Sequence, residues 1–257
     1  MDYTKCLSVI YLLFSLAIET TIFSSSSRDN VSLSDLSNSG NEDRKNVNEN
    51  EGYCHFVDLN ERLVELCNSI YTTAEQIMEL VTHGADVNTV HECDRTPLHT
   101  ACQCGNEIVV NVLLTIEGIK VNVVDEFGLT PLHLACRGNN DNIVKALATI
   151  QGIDMNAVTW MKNTPLHYAC VSGNDKIVNV LLAVEGIDVN ALDYMCYTPL
   201  HFACQHGLKE IVRLLLAVRG IDVTVVNNRG KTPFESTQNR IIRKMIEKHS
   251  QPSHGHI

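Results

Sequence analysis

Positive charge is scarce in this chain: 20 Lys and Arg stand against 30 Asp and Glu, a formal net charge of −10. A surface that neutralises phosphates needs the reverse balance, which argues against a nucleic-acid partner. The signatures of chemistry are missing as well. No Gly-rich phosphate loop, metal-ligand signature or nucleophile–base triad occurs, so the sequence offers no catalytic residue, no metal site and no cofactor. The charge-free apolar run at residues 7–18, LSVIYLLFSLAI, is short of the roughly 20 residues that cross a bilayer. Tryptophan occurs once, at Trp160.

What the chain does contain is one segment written again and again. TPLH recurs at Thr96, Thr130, Thr164 and Thr198, and TPFE follows at Thr232, at an invariant step of 34 residues. A unit this short has too little apolar surface to close on itself and must stack on its neighbours, so function belongs on the outside of a stack. Thr before Pro suits a helix start: the hydroxyl caps free amides, and Pro takes the first helical position, where its missing donor costs nothing. A short first helix carries Leu98, Ala101, Cys102 and their equivalents inward and ends at Gly105, Gly173 or Gly207. A second helix buries Val109, Ile143, Ile177 and Ile211 in one row and Leu113, Leu147, Leu181 and Leu215 in another. A further aliphatic row follows at Ile116, Ile150, Val184 and Val218. After Gly118, Gly152, Gly186 and Gly220 comes an extended piece, where Ile187 and Val189 alternate with polar neighbours.

Helix, helix and hairpin loop at this period, with T-P-L-H-x-A in four units, resembles the ankyrin repeat family. The resemblance implies an all-α fold: an ankyrin-repeat α-solenoid of stacked helix-turn-helix units with hairpin loops. It covers a repeat domain at 53–249, with an atypical first unit at 57–90, units at 91–124, 125–158, 159–192 and 193–226, and a truncated last unit at 227–249. It also implies a concave groove and protruding hairpin tips that bind another protein, without chemistry of their own. The residue added to the family's usual period sits in the EGI segment and enlarges that loop. The Gly that the family favours two residues before the Thr survives as Gly128 and Gly230 but is Asp94, Lys162 and Cys196 elsewhere. Lys and Cys tolerate positive φ poorly, so those tips are expected to be strained or differently turned.

The chain before the repeats is of another kind. Lys5, the apolar run 7–18 and the serines Ser24 to Ser27 read as a secretory signal over 1–24, with an uncleaved anchor or a merely apolar terminus as alternatives. Membrane contact is expected only if residues 7–18 remain as an anchor. Residues 25–52 are polar and nearly free of aliphatics, a disordered leader. It holds the NVS sequon at Asn30, which occurs by chance as readily as it marks glycosylation. Residues 250–257 read as a flexible tail; its His254 and His256, with His249 before them, have a loose metal site as the alternative. The localisation expected is secreted, with membrane-anchored or cytoplasmic as alternatives.

Ten cysteines in an exported chain suggest a disulfide scaffold, but their placement does not. Cys102, Cys136, Cys170 and Cys204 form a ladder at one equivalent position, and packed helices lie about 8–10 Å apart, beyond disulfide reach. Nor do ligands spread along a line converge on zinc. Cys54 and Cys67 are the candidates for one bridge, while Cys93, Cys104 and Cys196 sit where thiols are accessible. Export and free thiols pull in opposite directions, and a protein exported by one cell to act inside another reconciles them.

His99, His133, His167 and His201 make a second ladder, without a nucleophile or carboxylate repeating beside them. In the family this His bonds backbone between units, so the resemblance implies a structural role for all four. Asn88, Asn122, Asn156 and Asn190 are read as turn-stabilising; some relatives hydroxylate the equivalent Asn, and Leu80 with Asn88 and Leu182 with Asn190 fit that pattern.

Recognition is then expected at positions that vary on a fixed framework. The tips fall at His91 to Cys93, Asp125 to Phe127, Thr159 to Met161, Asp193 to Met195 and Asn227 to Arg229. Phe127, Trp160, Met161, Tyr194 and Met195 are of the types that anchor protein interfaces, unless some of them fold back onto neighbouring tips. The groove offers Gln103, Arg137, Val171, Gln205 and His206, suited to an uneven or extended partner. The bases Arg229, Lys231, Arg240, Arg243, Lys244 and Lys248 of the last unit face only Glu235 and Glu247, a charged end cap that keeps a stack soluble. The reading is a non-catalytic module that binds a protein of unknown identity, exported as a secreted effector or, alternatively, working as an intracellular adaptor or scaffold.

Overall fold

The computed structural model of the chain describes residues 58–250. The apolar run, the polar leader with Asn30, Cys6, Cys54, and the tail histidines His254 and His256 lie outside the described residues. Among those described, no helix is long and apolar enough to cross a membrane.

Helices α1 (Leu59–Asn68) and α2 (Ala74–Thr82) form the first pair, followed by α3 (Pro97–Cys104) with α4 (Glu107–Thr115) and α5 (Pro131–Arg137) with α6 (Asp141–Ala148). Then come α7 (Pro165–Ser172) with α8 (Asp175–Leu182), α9 (Pro199–Gln205) with α10 (Lys209–Leu216), and finally α11 (Arg240–Ser250). First helices pack on the first helices of adjoining pairs, second helices on second helices, and α11 closes the end against α10. Two helical layers result. The described residues contain no β-strand, only an isolated antiparallel bridge between His91 and Arg95.

Local chemistry explains the helix starts. Thr130, Thr164 and Thr198 each accept a hydrogen bond on Oγ1 from the backbone N–H of the His three residues on, and Pro follows the cap every time. In α3 and α7 the helix ends on a left-handed glycine, Gly105 or Gly173. In α5 that role passes from Gly138 to Asn139, which takes φ 65°, and α9 ends on His206 with Gly207 one residue later. The last unit departs further. After Thr232 the chain makes only turns at 233–236 where the repeat predicts a first helix, and Arg243 lies over the Phe234 ring at 5.1 Å to close that side.

The core runs between the layers as rows one unit apart. The predicted rows at Val109 and Leu113 are fully buried in every copy, and so is a row the periodicity did not single out, Val110, Val144, Val178 and Val212. The outer aliphatic row at Ile116, Ile150, Val184 and Val218 is half-buried against this core. Leu98, Ala101 and Cys102 and their equivalents cover it from the first-helix side.

At the two tips with Lys and Cys in place of Gly, the strained outcome is the one that occurs. Lys162 and Cys196 keep the turn of Gly128 and Gly230, donating N–H to Thr159 O at 2.8 Å and Asp193 O at 3.0 Å, and do so at φ 58°. That strained region costs a residue with a Cβ about 1 kcal/mol or more. The first tip is turned differently, with Cys93 and Asp94 both at positive φ. Gly128 and Gly230 allow the strain to be separated from crowding. They share φ values of 75° and 70°, but a Cβ at 128 would meet Trp160 N at 2.8 Å, whereas one at 230 meets nothing within 4 Å. Gly230→Ala is expected to cost about 1 kcal/mol and Gly128→Ala at least about 1 kcal/mol more. Urea unfolding of the two variants measures both, and equal costs would remove the tip-to-tip contact from this account.

Candidate functional site

Each unit is fastened to the next by side chains on both layers. His99, His133, His167 and His201 take the backbone N–H of the capping Thr on Nδ1 at 3.1 Å. Their Nε2 faces the carbonyl oxygen of Leu129, Asn163, Tyr197 or Lys231 in the following unit, also at 3.1 Å. A carbonyl only accepts, so the proton resides on Nε2 and both ring nitrogens are engaged. Burial holds these rings in the neutral form. It drives His133 and His167 down to about 4, against the opposing pull of the carbonyls they bond, and lowers His99 and His201 in the same direction.

At the other edge, Asn88, Asn122, Asn156 and Asn190 each clamp the next unit with two hydrogen bonds. Asn122 Nδ2 donates to Gly152 O at 2.7 Å and its Oδ1 accepts from Asp154 N at 2.9 Å, and the other three repeat the pair. The turn itself is held by Asp86, Asp154, Asp188 and Asp222, whose Oδ1 accepts the amide two residues on. The Asn therefore serves the neighbour and the Asp serves the turn.

Cys67, Cys102, Cys136, Cys170 and Cys204 are free thiols and completely buried. Cys67 joins the ladder as its first rung, close enough to Cys102 and Cys104 for their charges to interact, while Cys54, its expected partner, lies outside the described residues. Burial pushes its thiol up to about 12 and raises every other rung, so the row is unreactive. Cys93 and Cys196 are exposed on tips, and Cys104 donates to Asn68 Oδ1 at 2.9 Å. No three His, Cys, Asp or Glu side chains gather as a metal site among the described residues.

The tips and the exposed ends of the first helices form one continuous surface. Arg95 ties them together: Nε donates to buried Asp125 at 3.2 Å and Nη1 to Gln103 Oε1 at 2.7 Å. Arg137 lies half-buried nearby, its pKa lowered chiefly by burial, beside Tyr168, Arg95 and Asp125. Val171, Gln205 and His206 are exposed, His206 as the cap of α9. Among the tip residues, Phe127 and Met195 pack partly against the core and Met161 is half-buried. Trp160 and Tyr194 stay out, 68% and 56% exposed. Trp160 is both anchored and available, since its indole N–H donates to Glu126 O of the preceding tip at 2.8 Å while the ring faces solvent. Sequence alone placed Trp160 on a tip but held no signal for that bond, which joins residues 34 apart.

Paired helices stacked in two layers, hairpin tips and a ladder of inter-unit histidines define a helical repeat protein. A family model for ankyrin repeats (3 copies) matches residues 66–159, 109–193 and 150–227, and the chain belongs to the ankyrin repeat family. Ankyrin repeats in general are non-catalytic modules that mediate binding to other proteins. No curated protein matches the sequence.

The buried histidines make stability depend on pH. Unfolded His titrates near 6.5, whereas folded His133 and His167 titrate at about 4, so between those values the unfolded chain binds more protons. Stability is fully present above pH 6.5 and falls as pH drops through the window, by up to about 1.4 kcal/mol per pH unit for each ring. His133→Gln, which keeps a capping group at that position, is expected to flatten the slope between pH 6.5 and 5.5 by about one proton. Urea midpoints across this range test it, and an unchanged slope would mean that the ring does not titrate on unfolding.

Proposed function

We propose that this chain is a non-catalytic protein-binding module, exported or membrane-directed, that receives a partner protein on its hairpin tips and first-helix ends and acts as a secreted effector. The observation that carries the reading is the exposure of Trp160 and Tyr194 on successive tips. Large aromatic side chains add area at small entropic cost and are the residues on which interface energy concentrates. Arg137, Val171 and Gln205 extend the surface along the first-helix ends. The histidines support the absence of chemistry, because each of the four has both ring nitrogens committed to framework hydrogen bonds. Export rests on the apolar run behind Lys5 and the serines after it.

A second reading, an adaptor or scaffold within its own cell, is favoured by the thiols. Eight free cysteines among the described residues, with Cys93 and Cys196 exposed, suit a reducing compartment. The N-terminal residue of the native protein separates the two. A mature form in the medium starting near Ser25 selects export, and Met1 retained in cells selects the adaptor. For either, Trp160→Ala with Tyr194→Ala is expected to weaken partner capture by about tenfold or more while melting as the natural chain does. Capture unchanged in a quantitative pull-down would take the tips out of the binding surface.

A further inference from the structure

The five tips differ from one another in an ordered way. Glu92, Asp94 and Glu126 stand on the first two, Lys162 on the central one, and Arg229 and Lys231 on the last. All six are exposed, and none enters an ion pair among the described residues. Trp160 and Tyr194 occupy the stretch between the charged ends. Beside the tips runs a second row, Val90, Val124, Val158, Leu192 and Val226, one per unit and each between 42% and 56% exposed. In the last four units a buried residue, Asp125, Thr159, Asp193 or Asn227, separates this aliphatic from the next exposed tip residue. The exposed aliphatic thus stands two residues before an exposed tip residue in each of these units, and the two rows run side by side along the stack. Backbone bonds link successive tips: Glu126 N to Cys93 O at 2.9 Å, Trp160 N to Phe127 O at 3.3 Å, Tyr194 N to Met161 O at 2.9 Å and Asn228 N to Met195 O at 3.1 Å.

A line with acids at one end, bases at the other and apolar side chains throughout is complementary to itself when turned end for end. We infer that a second copy of this chain docks on these tips, antiparallel, about a two-fold axis lying in the contact plane across the central tip. The rotation sets Glu92 and Asp94 of one protomer against Arg229 and Lys231 of its partner, twice over, and brings the two Trp160 rings together near the axis, with Lys162 beside its own copy as the one like-charge pair. It also lays each aliphatic row against its own copy, removing five exposed aliphatics per chain from water. A parallel arrangement would oppose like charges at both ends, and end-to-end stacking would leave the aliphatic row exposed in every copy. At about 10 Å per unit the row is roughly 50 Å long, enough for the ~800 Å² that each partner gives to a standard interface.

The dimer uses the tips assigned above to a partner protein, so the two compete for them; the test uses the purified full chain alone and is decided whether or not such a partner exists. Sedimentation equilibrium at low salt is expected to show a dimer that dissociates on dilution and on raising salt. Trp160 is the only tryptophan, so its emission is expected to move to the red over the same dilution. Glu92→Lys/Asp94→Lys puts bases at both ends of the row, and Arg229→Glu/Lys231→Glu puts acids at both. Each variant alone is expected to raise the dissociation constant at least tenfold, and their equimolar mixture to recover the dimer. A natural chain that stays monomeric at ~100 µM with emission independent of concentration overturns the inference. Assemblies that grow beyond two overturn it as well, and so does a mixture of folded variants that stays monomeric.

Discussion

Everything in this protein depends on one constraint: no unit can satisfy its own polar groups or bury its own apolar face without the next. A pair of helices of seven to ten residues each leaves helix ends, turn carbonyls and one side of every aliphatic row open. The stack closes these at two edges. On the first-helix side a histidine carries the cap of its own helix and reaches a carbonyl 30 residues on. On the loop side an asparagine grips the following loop through both atoms of its amide. Rows of Val, Ile, Leu and small buried Cys fill the space between, at the pitch the two clamps impose. Buried polar groups of this kind leave an uncompensated donor or acceptor whenever the register slips, so they specify the stacking as well as hold it.

Where the stack stops, the sequence drops both devices together. Glu235 stands in the histidine's place and still caps its own segment, accepting from Thr232 N at 2.9 Å, but has no further carbonyl to reach. Thr224 replaces the asparagine and turns back to Asp222. Helix α11 then closes the end with Ile242 and Ile246 inward, Arg243 folded over Phe234, and Arg240, Lys244 and Lys248 outward. Departures from the repeat thus mark its end and follow from the loss of a neighbour.

The same scaffold frees the tips. With caps, clamps and core held by framework residues, the hairpin turns carry whatever the outer surface requires, even at the strain of Lys162 and Cys196 in a left-handed conformation. Their charge order and their aliphatic companions are therefore not dictated by the framework. Phe127 and Met195 show the limit of that freedom, since both lean on the core and are shared between framework and surface.

The period, the helix pairs, the buried rows and the all-α stack were legible in the sequence, because a 34-residue step repeats every local signal and each is a short-range effect of cap, proline, glycine or helical spacing. The tips were legible as places. Their state was not: which aromatic leans inward, where the Trp160 N–H finds its acceptor and how Arg95 joins tip to helix depend on atoms brought close by stacking. Cys67 escaped the ladder because it sits 35 residues before Cys102 instead of 34, and the asparagines were read as local turn formers because their partners are 30 to 32 residues away. The sequence by itself determined what each unit is, since its signals act within a few residues. Only the tertiary structure decided which groups meet between units and which stay exposed, because that turns on distances no single unit contains.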